Sequence, residues 1–375
     1  MKTIIVSSSL EVLTPRVTKN AQALASGGHD VILLVWDREN TNPKFERKDG
    51  YAVHRFKFKS PYGPMVLLYW PVWWAFELLW LLKNRWDVVH AFNFDTVVPA
   101  VIAAKLKRRS VVYELADIYA DMRPLPHVVR NVCLFIDKVF MRLADAMVIV
   151  EELKEIPNEN TVVIRNSPPD FFQKVNSFPL RNSAFTIFYA AVLKRSRRFN
   201  LDKVYQAINS IDGVRLVIAG YGPQIAEIKE WVNEAPSKVE FIGRLSYTEV
   251  LERTMAADIV VALYDVTGLL VSYISPNKLF EAMMCGTPIL VTKGTAMAGI
   301  VERENCGMVV DNHNIDEIRE AISRLKDNHE LCRQMGANGR KAYEQKYSWE
   351  IMEQRLRDFY QKQRKGITVS SQSSP

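Results

Sequence analysis

The stretch Asn166-Ser167-Pro168-Pro169, with Asn176–Ser183 just beyond it, interrupts the chain near its middle and decides the fold. Asn, Ser and Pro favour turns and loops, each for its own backbone reason. On either side, short β-branched runs alternate with segments of helical spacing. Before the break the runs are Ile4–Val6, Val31–Trp36, Val88–Ala91, Val111–Tyr113, Ala146–Val150 and Val162–Ile164. After it come Phe185–Tyr189, Arg215–Ala219, Val239–Ile242, Ile259–Ala262, Ile289–Val291 and Gly307–Val310. The runs are continuously apolar, as strands of a parallel sheet covered on both faces must be. Two successive βα series predict an α/β protein of two doubly wound, Rossmann-like domains facing across a cleft. We place these domains at residues 1–172 and 178–350. A last helix opens at Ser348, and the tail from Gly366 to Pro375 has no apolar periodicity and is predicted to be disordered.

The 375 residues suit two domains, and 48% hydrophobic with 24% charged residues excludes a collagen-like, low-complexity or largely disordered chain. Cys133, Cys285, Cys306 and Cys332 stand far apart with no C-x-x-C pair, which argues against a disulfide framework or zinc site and fits a reducing compartment. The net charge of +7 is concentrated: between residues 41 and 110 twelve Lys and Arg stand against five acids. That stretch contains Met65–Leu82 (MVLLYWPVWWAFELLWLL), with Trp70, Trp73, Trp74 and Trp80, an internal Glu77, and Pro71 placed to kink it. Lys57 and Lys59 precede it and Lys83 and Arg85 follow. Trp rings suit a membrane interface and the flanking cations suit anionic headgroups, so residues 57–85 are read as docking on a membrane surface; a buried core helix and a true span are the alternatives. Thr3–Val6 is too short for a secretion signal and reads as a first strand.

Several chemistries lack their motifs. There is no G-x-x-x-x-G-K-[ST], no G-x-G-x-x-G after the first strand, no G-x-S-x-G and no D-x-D. No cofactor or metal is expected. What remains lies at predicted C-terminal strand ends, where open α/β sheets bind ligands. Lys194-Arg195-Ser196-Arg197-Arg198 follows the first strand of the second series; four cations in five residues suit a diphosphate, a solvated charge run being the alternative. In Ser275–Pro288 (SPNKLFEAMMCGTP), Pro276 starts a helix and sets Asn277, Lys278 and Leu279 in its first turn, where free N–H groups favour phosphate. Glu281, one turn on, is placed to accept hydrogen bonds from ribose hydroxyls. His90 ends a strand, and a core histidine is as good a reading for it as a site residue.

These residues, with others in the same order, resemble the family-4, or group 1, glycosyltransferases of the GT-B fold. The resemblance is carried by Pro15-Arg16-Val17, Gly28-His29-Asp30-Val31, Asp87-Val88-Val89-His90-Ala91, Val112–Asp117, Ile218-Ala219-Gly220-Tyr221-Gly222-Pro223, Phe241-Ile242-Gly243-Arg244, Ser275–Pro288 and Tyr347-Ser348-Trp349-Glu350. It implies transfer of a sugar from a nucleoside diphosphate sugar to a hydroxyl acceptor with retention, on a membrane-associated glycolipid or surface-glycan precursor at the cytoplasmic face. It further implies that a C-terminal helix, residues 351–365, crosses back to the first domain. Carried over by position, Arg197, Arg198 and Lys278 hold the diphosphate, Asn277 and Leu279 assist through their backbone, and Glu281 binds the ribose. Gly243 and Arg244 flank the base, with Gly220 and Tyr273 on the same side. Arg16, His90 and Asp117 face the sugar or acceptor. Three positions depart from the pattern: Tyr273 replaces a Glu, Ala116 a cleft His, and Ala191 a phosphate-contacting Gly. The first two keep open a catalytically silent binding subunit; a sugar-nucleotide epimerase is a further alternative, disfavoured by Ala116. No nucleic-acid-binding module is present.

Overall fold

The computed structural model describes residues 1–10, 15–61, 63–118, 120, 127–152, 156–171, 184–193, 200–265 and 277–372. It divides into two compact units, Met1–Arg165 with Met352–Pro375, and Asn166–Ile351.

In the first unit β1 (Lys2–Ser7), β2 (Asp30–Asp37), β3 (Phe45–Lys48), β4 (Tyr51–Lys57), β5 (Val88–Phe92), β6 (Ser110–Leu115), β7 (Ala146–Ile149) and β8 (Thr161–Val163) form one sheet. Their order is β3-β4-β2-β1-β5-β6-β7-β8, parallel throughout except for the β3–β4 hairpin. The hairpin was not among the predicted strands. Its residues alternate rather than run continuously apolar: Tyr51, Val53 and Arg55 are buried and Ala52, His54 and Phe56 half-buried. Arg55 is itself a core residue, ion-paired to Glu46 and bonded to the Pro43 carbonyl at 3.0 Å, so part of the basic excess is internal.

Helix α1 (Pro15–Ser26) joins β1 to β2, while α2 (Trp70–Lys83), α3 (Phe94–Lys107) and α4 (His127–Leu143) join β4 to β5, β5 to β6 and β6 to β7. The first connection moves toward one edge of the sheet and the other three toward the opposite edge. Right-handed crossovers therefore put α2, α3 and α4 side by side on one face and α1 on the other.

Helix α2 corrects two expectations. Pro71 does not kink it but lies in its first turn, after a 3₁₀ turn over Pro64–Tyr69, where a missing N–H costs nothing. The tryptophans also turn inward. Trp70, Trp73, Glu77 and Leu81 form a buried stripe at helical spacing, and Trp73 stacks on Trp36 of β2 at 5.6 Å. Pro99, inside α3, cannot donate to the carbonyl of Asp95 one turn earlier. The Trp73 and Trp74 indole N–H groups take that carbonyl instead, at 3.2 and 2.9 Å. A helix long and apolar enough to cross a membrane is thus tied to the sheet by its own aromatic side chains.

The second unit comprises β9 (Phe185–Val192), α5 (Leu201–Ile208), β10 (Val214–Tyr221), α6 (Ile225–Glu234), β11 (Val239–Gly243), α7 (Tyr247–Ala256), β12 (Ile259–Ala262), α8 (Asn277–Cys285), β13 (Ile289–Thr292), α9 (Ala296–Glu304), β14 (Gly307–Val310), α10 (Ile315–Asp327) and α11 (His329–Ala342). All strands are parallel, in the order β11-β10-β9-β12-β13-β14. The chain moves outward one way from β9 and returns to its other side at β12, which makes the β9/β12 boundary a topological switch point. Local signals match local ends. Ser246 and Glu249 form a reciprocal capping box on α7, and Gly286, at φ +66°, closes α8 with Gly286 N–H on the Met283 carbonyl and Thr287 N–H on that of Ala282.

Helix α12 (Trp349–Gln372) begins at Ser348, whose Oγ accepts the Ile351 N–H at 3.4 Å. From Met352 it belongs to the first unit, where Met352, Leu356 and Tyr360 are fully buried. It continues to Gln372, through residues predicted to be disordered. Extending a helix already nucleated costs far less than starting one, so weak formers such as Thr368 and Val369 can follow an anchored helix.

Candidate functional site

In open α/β sheets ligands bind outside the carboxyl ends of the strands at the switch point, here the ends of β9 and β12. Helix α8 follows β12 and brings two of its side chains there. Lys278 and Glu281 line one pocket with Phe188 and Ala190 of β9, Val260 of β12, and Val250 and Thr254 of α7. The Lys278 Nζ lies 3.8 Å from the centre of the Tyr189 ring. Burial pushes the Lys278 ammonium down to about 8, against the opposing pull of Glu281. Glu281 is almost wholly buried, and burial, with the Glu281 charge, raises the phenol of nearby Tyr247 in the first turn of α7. The pocket thus offers an easily titrated cation and an oriented carboxylate between apolar walls, a combination suited to a phosphate and vicinal hydroxyls.

The neighbouring strand ends are held close by glycine. Gly220 sits at φ +145°, and a Cβ there would lie 2.0 Å from the Ala191 carbonyl oxygen. After β11, Gly243 at φ +75° turns the chain, and the Arg244 guanidinium lies 4.7 Å over the ring of Tyr221.

In the first unit a buried network centres on Glu114 of β6. Its carboxylate accepts from Arg16 Nε, from Asn20 Nδ2 at 2.6 Å and from His90 Nε2 at 2.6 Å. The other ring nitrogen of His90 lies 2.7 Å from the Tyr360 hydroxyl of α12. Burial alone would raise the Glu114 carboxyl, but Arg16 and His90 outweigh it and hold it below the usual range. Beside the network, the Ala116 and Asp117 N–H groups both bond Asn93 Oδ1, at 2.9 and 3.1 Å, which fixes the turn after β6.

Sequence comparison covers both units. Residues 13–166 match the model of the glycosyl transferase 4-like domain, and residues 171–342 match that of glycosyl transferases group 1. The chain belongs to the group 1 glycosyltransferases. Over 164 residues it is 30% identical to a GDP-mannose-dependent monoacylated alpha-(1-6)-phosphatidylinositol monomannoside mannosyltransferase of Corynebacterium glutamicum. That match covers 42% of this chain and 41% of the relative, so the chain spans only about two fifths of the length of such curated relatives. A Mycobacterium tuberculosis GDP-mannose-dependent alpha-(1-6)-phosphatidylinositol monomannoside mannosyltransferase is 25% identical over 158 residues, 40% of each protein. Among solved structures, the sucrose-phosphate synthase of Thermosynechococcus elongatus superimposes over 98% of this chain and 100% of its own, with a TM-score of 0.75 at 15% identity. Anabaena HepE in complex with UDP and glucose gives 0.69 over 96% and 100%, also at 15% identity. At such identities these two likenesses establish the fold, GT-B, with its two Rossmann-like units.

Within this group 1 glycosyltransferase the structure gathers some of the predicted site residues and separates others. Lys278 and Glu281 share the pocket; Asn277 is exposed at the start of α8, and the Leu279 side chain is buried in the core. Arg244 is exposed, whereas Gly220 serves the close approach of β9 and β10. Arg197, Arg198 and Tyr273 lie outside the described residues. Asp117 is exposed on the turn after β6. Of the two readings of His90 the structure takes the core one: it is fully buried inside β5 with its ring nitrogens bonded to Tyr360 and Glu114. Sequence reading missed Tyr189, Tyr247, Asn20, Asn93 and Tyr360, because none is near its partner in the chain and single tyrosines carry no pattern.

Proposed function

We propose that the protein transfers a sugar from a nucleoside diphosphate sugar to a hydroxyl of a lipid-linked or glycan acceptor, with retention, at the inner face of the cell membrane. The observation that carries this reading is the convergence of Lys278 and Glu281 on one pocket at the β9/β12 switch point of the segment matching the group 1 model. The acceptor oxygen attacks the anomeric carbon, the bond to the diphosphate oxygen breaks, and that oxygen takes the acceptor's proton on the same face of the sugar. The chain's contribution is then positioning and charge. Lys278, with Arg197 and Arg198, meets the developing phosphate charge, and Glu281 orients the ribose. The reading includes no resident metal, because the chain has no D-x-D motif; turnover is expected to survive EDTA.

The lipid-borne acceptor is supported by relatives named for phosphatidylinositol monomannoside, and the compartment by four cysteines of which none forms a disulfide. Docking on an anionic membrane through residues 57–85 is part of the same reading. The test is a thermal-shift panel that includes GDP-mannose and UDP-glucose, followed by nucleotide release with the donor that stabilises. Lys278→Ala and Glu281→Ala are each expected to abolish transfer while the melting curve of the free protein stays cooperative; unchanged turnover in both would sink the site. A silent binding subunit, the reading kept open by Ala116 and Tyr273, would be stabilised by a donor and release no nucleotide with any acceptor.

A further inference from the structure

The tryptophans of α2 face the sheet, so a membrane contact must rest on other side chains. Seventeen large apolar side chains are exposed among the described residues, and twelve of them lie on the turn over Pro64–Tyr69 or on α2, α3 and α4. These helices are neighbours on one sheet face and run parallel. Their C-terminal ends meet: the Lys107 Nζ caps the Leu81 carbonyl at 3.0 Å, and the Lys105 Nζ pairs with Asp145, just beyond α4, at 2.7 Å. The exposed stripe of α2 ends in Leu79 and Leu82, that of α3 in Leu106, and α4 contributes Val128, Val132 and Phe135, of which Val128 and Phe135 are 76% and 71% exposed. Twelve exposed apolar side chains on this face, against five over all the other described residues, set it apart from the rest of the surface.

The charge on this face is one-sided. Lys83, Arg85, Arg108, Arg109, Lys138 and Arg142 are exposed on the helices or at their C-terminal ends. The carboxylates within the helices, Glu77, Asp95 and Asp137, are buried. The two beside the C-terminal ends, Asp87 and Asp145, are each paired with a cation, Arg109 at 3.5 Å and Lys105 at 2.7 Å. Apolar stripes ending in exposed cations match acyl chains below anionic headgroups, and match no basic or wholly polar partner.

We propose that the membrane-docking surface is this three-helix face, and that α4, outside residues 57–85, is one of its principal contacts. The proposal rests on the membrane part of the function proposed above and changes which surface touches the bilayer. It is tested by co-sedimentation with vesicles of phosphatidylcholine alone and of equal parts phosphatidylcholine and phosphatidylglycerol. The comparison uses the wild type, an α4 variant (Val132→Glu with Phe135→Glu) and an α2 variant (Leu79→Glu with Leu82→Glu), each first shown to melt like the wild type. The wild type is expected to bind the anionic vesicles and to weaken with salt, and each variant to lose at least tenfold in binding. Wild-type-like binding by the α4 variant, with loss confined to the α2 variant, would overturn the assignment of α4 and leave membrane docking standing. A wild type that binds neither vesicle overturns both. Sedimentation equilibrium showing a dimer dissolved by the α4 changes, without vesicle binding, would assign the face to a second copy of the chain instead.

Discussion

Lys278 shows how one residue can be legible in part. Its place in the first turn of a helix after Pro276 pointed to phosphate, but its proton affinity depends on burial and on Glu281, and its Nζ sits over the ring of Tyr189, about ninety residues earlier. Because burial lowers its pKa to about 8, the cation proposed to meet a diphosphate is present below that pH and lost above it. We therefore expect kcat/KM for the donor to fall as pH rises through about 8, and Lys278→Arg to move that limb to higher pH. In the first unit Glu114 is the residue to test. It was legible as part of a motif but not as the hub of a network whose other members are 24, 94 and 98 residues away. Removing it takes away the carboxylate that Arg16, Asn20 and His90 share in the buried network, so Glu114→Ala is expected to cost about 3–5 kcal/mol, read by urea unfolding.

At the scale of elements, the parallel strands were legible because burial on both faces writes itself as continuous apolar runs. The β3–β4 hairpin was not, since its strands carry charged residues and one, Arg55, is buried by pairing rather than by being apolar. Helix α2 misled for a related reason: composition reports that a segment is apolar, not which partner its apolar face meets. Glu77 makes this testable. It is fully buried, neither of its oxygens has a hydrogen-bond partner among the described residues, and burial with the nearby Asp95 charge pushes its carboxyl well above the usual range. A carboxyl whose folded pKa is raised favours folding at low pH, and that contribution is lost as pH climbs above the unfolded value of about 4.3. Glu77→Gln removes the penalty without changing shape. The variant should be more stable than the wild type toward urea at neutral pH, with the difference shrinking as pH falls toward 4; the reverse order at neutral pH would show that Glu77 is ionised and paired.

For the molecule as a whole, the division into units follows contacts rather than chain order. The first unit needs α12, whose Met352, Leu356 and Tyr360 are fully buried in it, while the rest of the chain between Asn166 and Ile351 forms its own core. A chain ending at Ile351 should therefore lose the cooperative melting and protease resistance of residues 1–165. Melting and protease resistance equal to those of the full chain would show α12 to be dispensable to that unit.

The sequence by itself determined the α/β class, the two βα series, the family and the place of Lys278 and Glu281 at the start of α8, because periodicity, helix starts and motif spacing are local properties written in consecutive residues. Only the tertiary structure decided that His90 is a core residue, that Glu114 holds Arg16, that the Tyr189 ring lies under Lys278, and that the tryptophans of α2 face inward while α4 carries exposed apolar residues. Each of these depends on which distant residue occupies the adjoining space, and burial, hydrogen bonding and charge pairing act across that space without regard to separation along the chain.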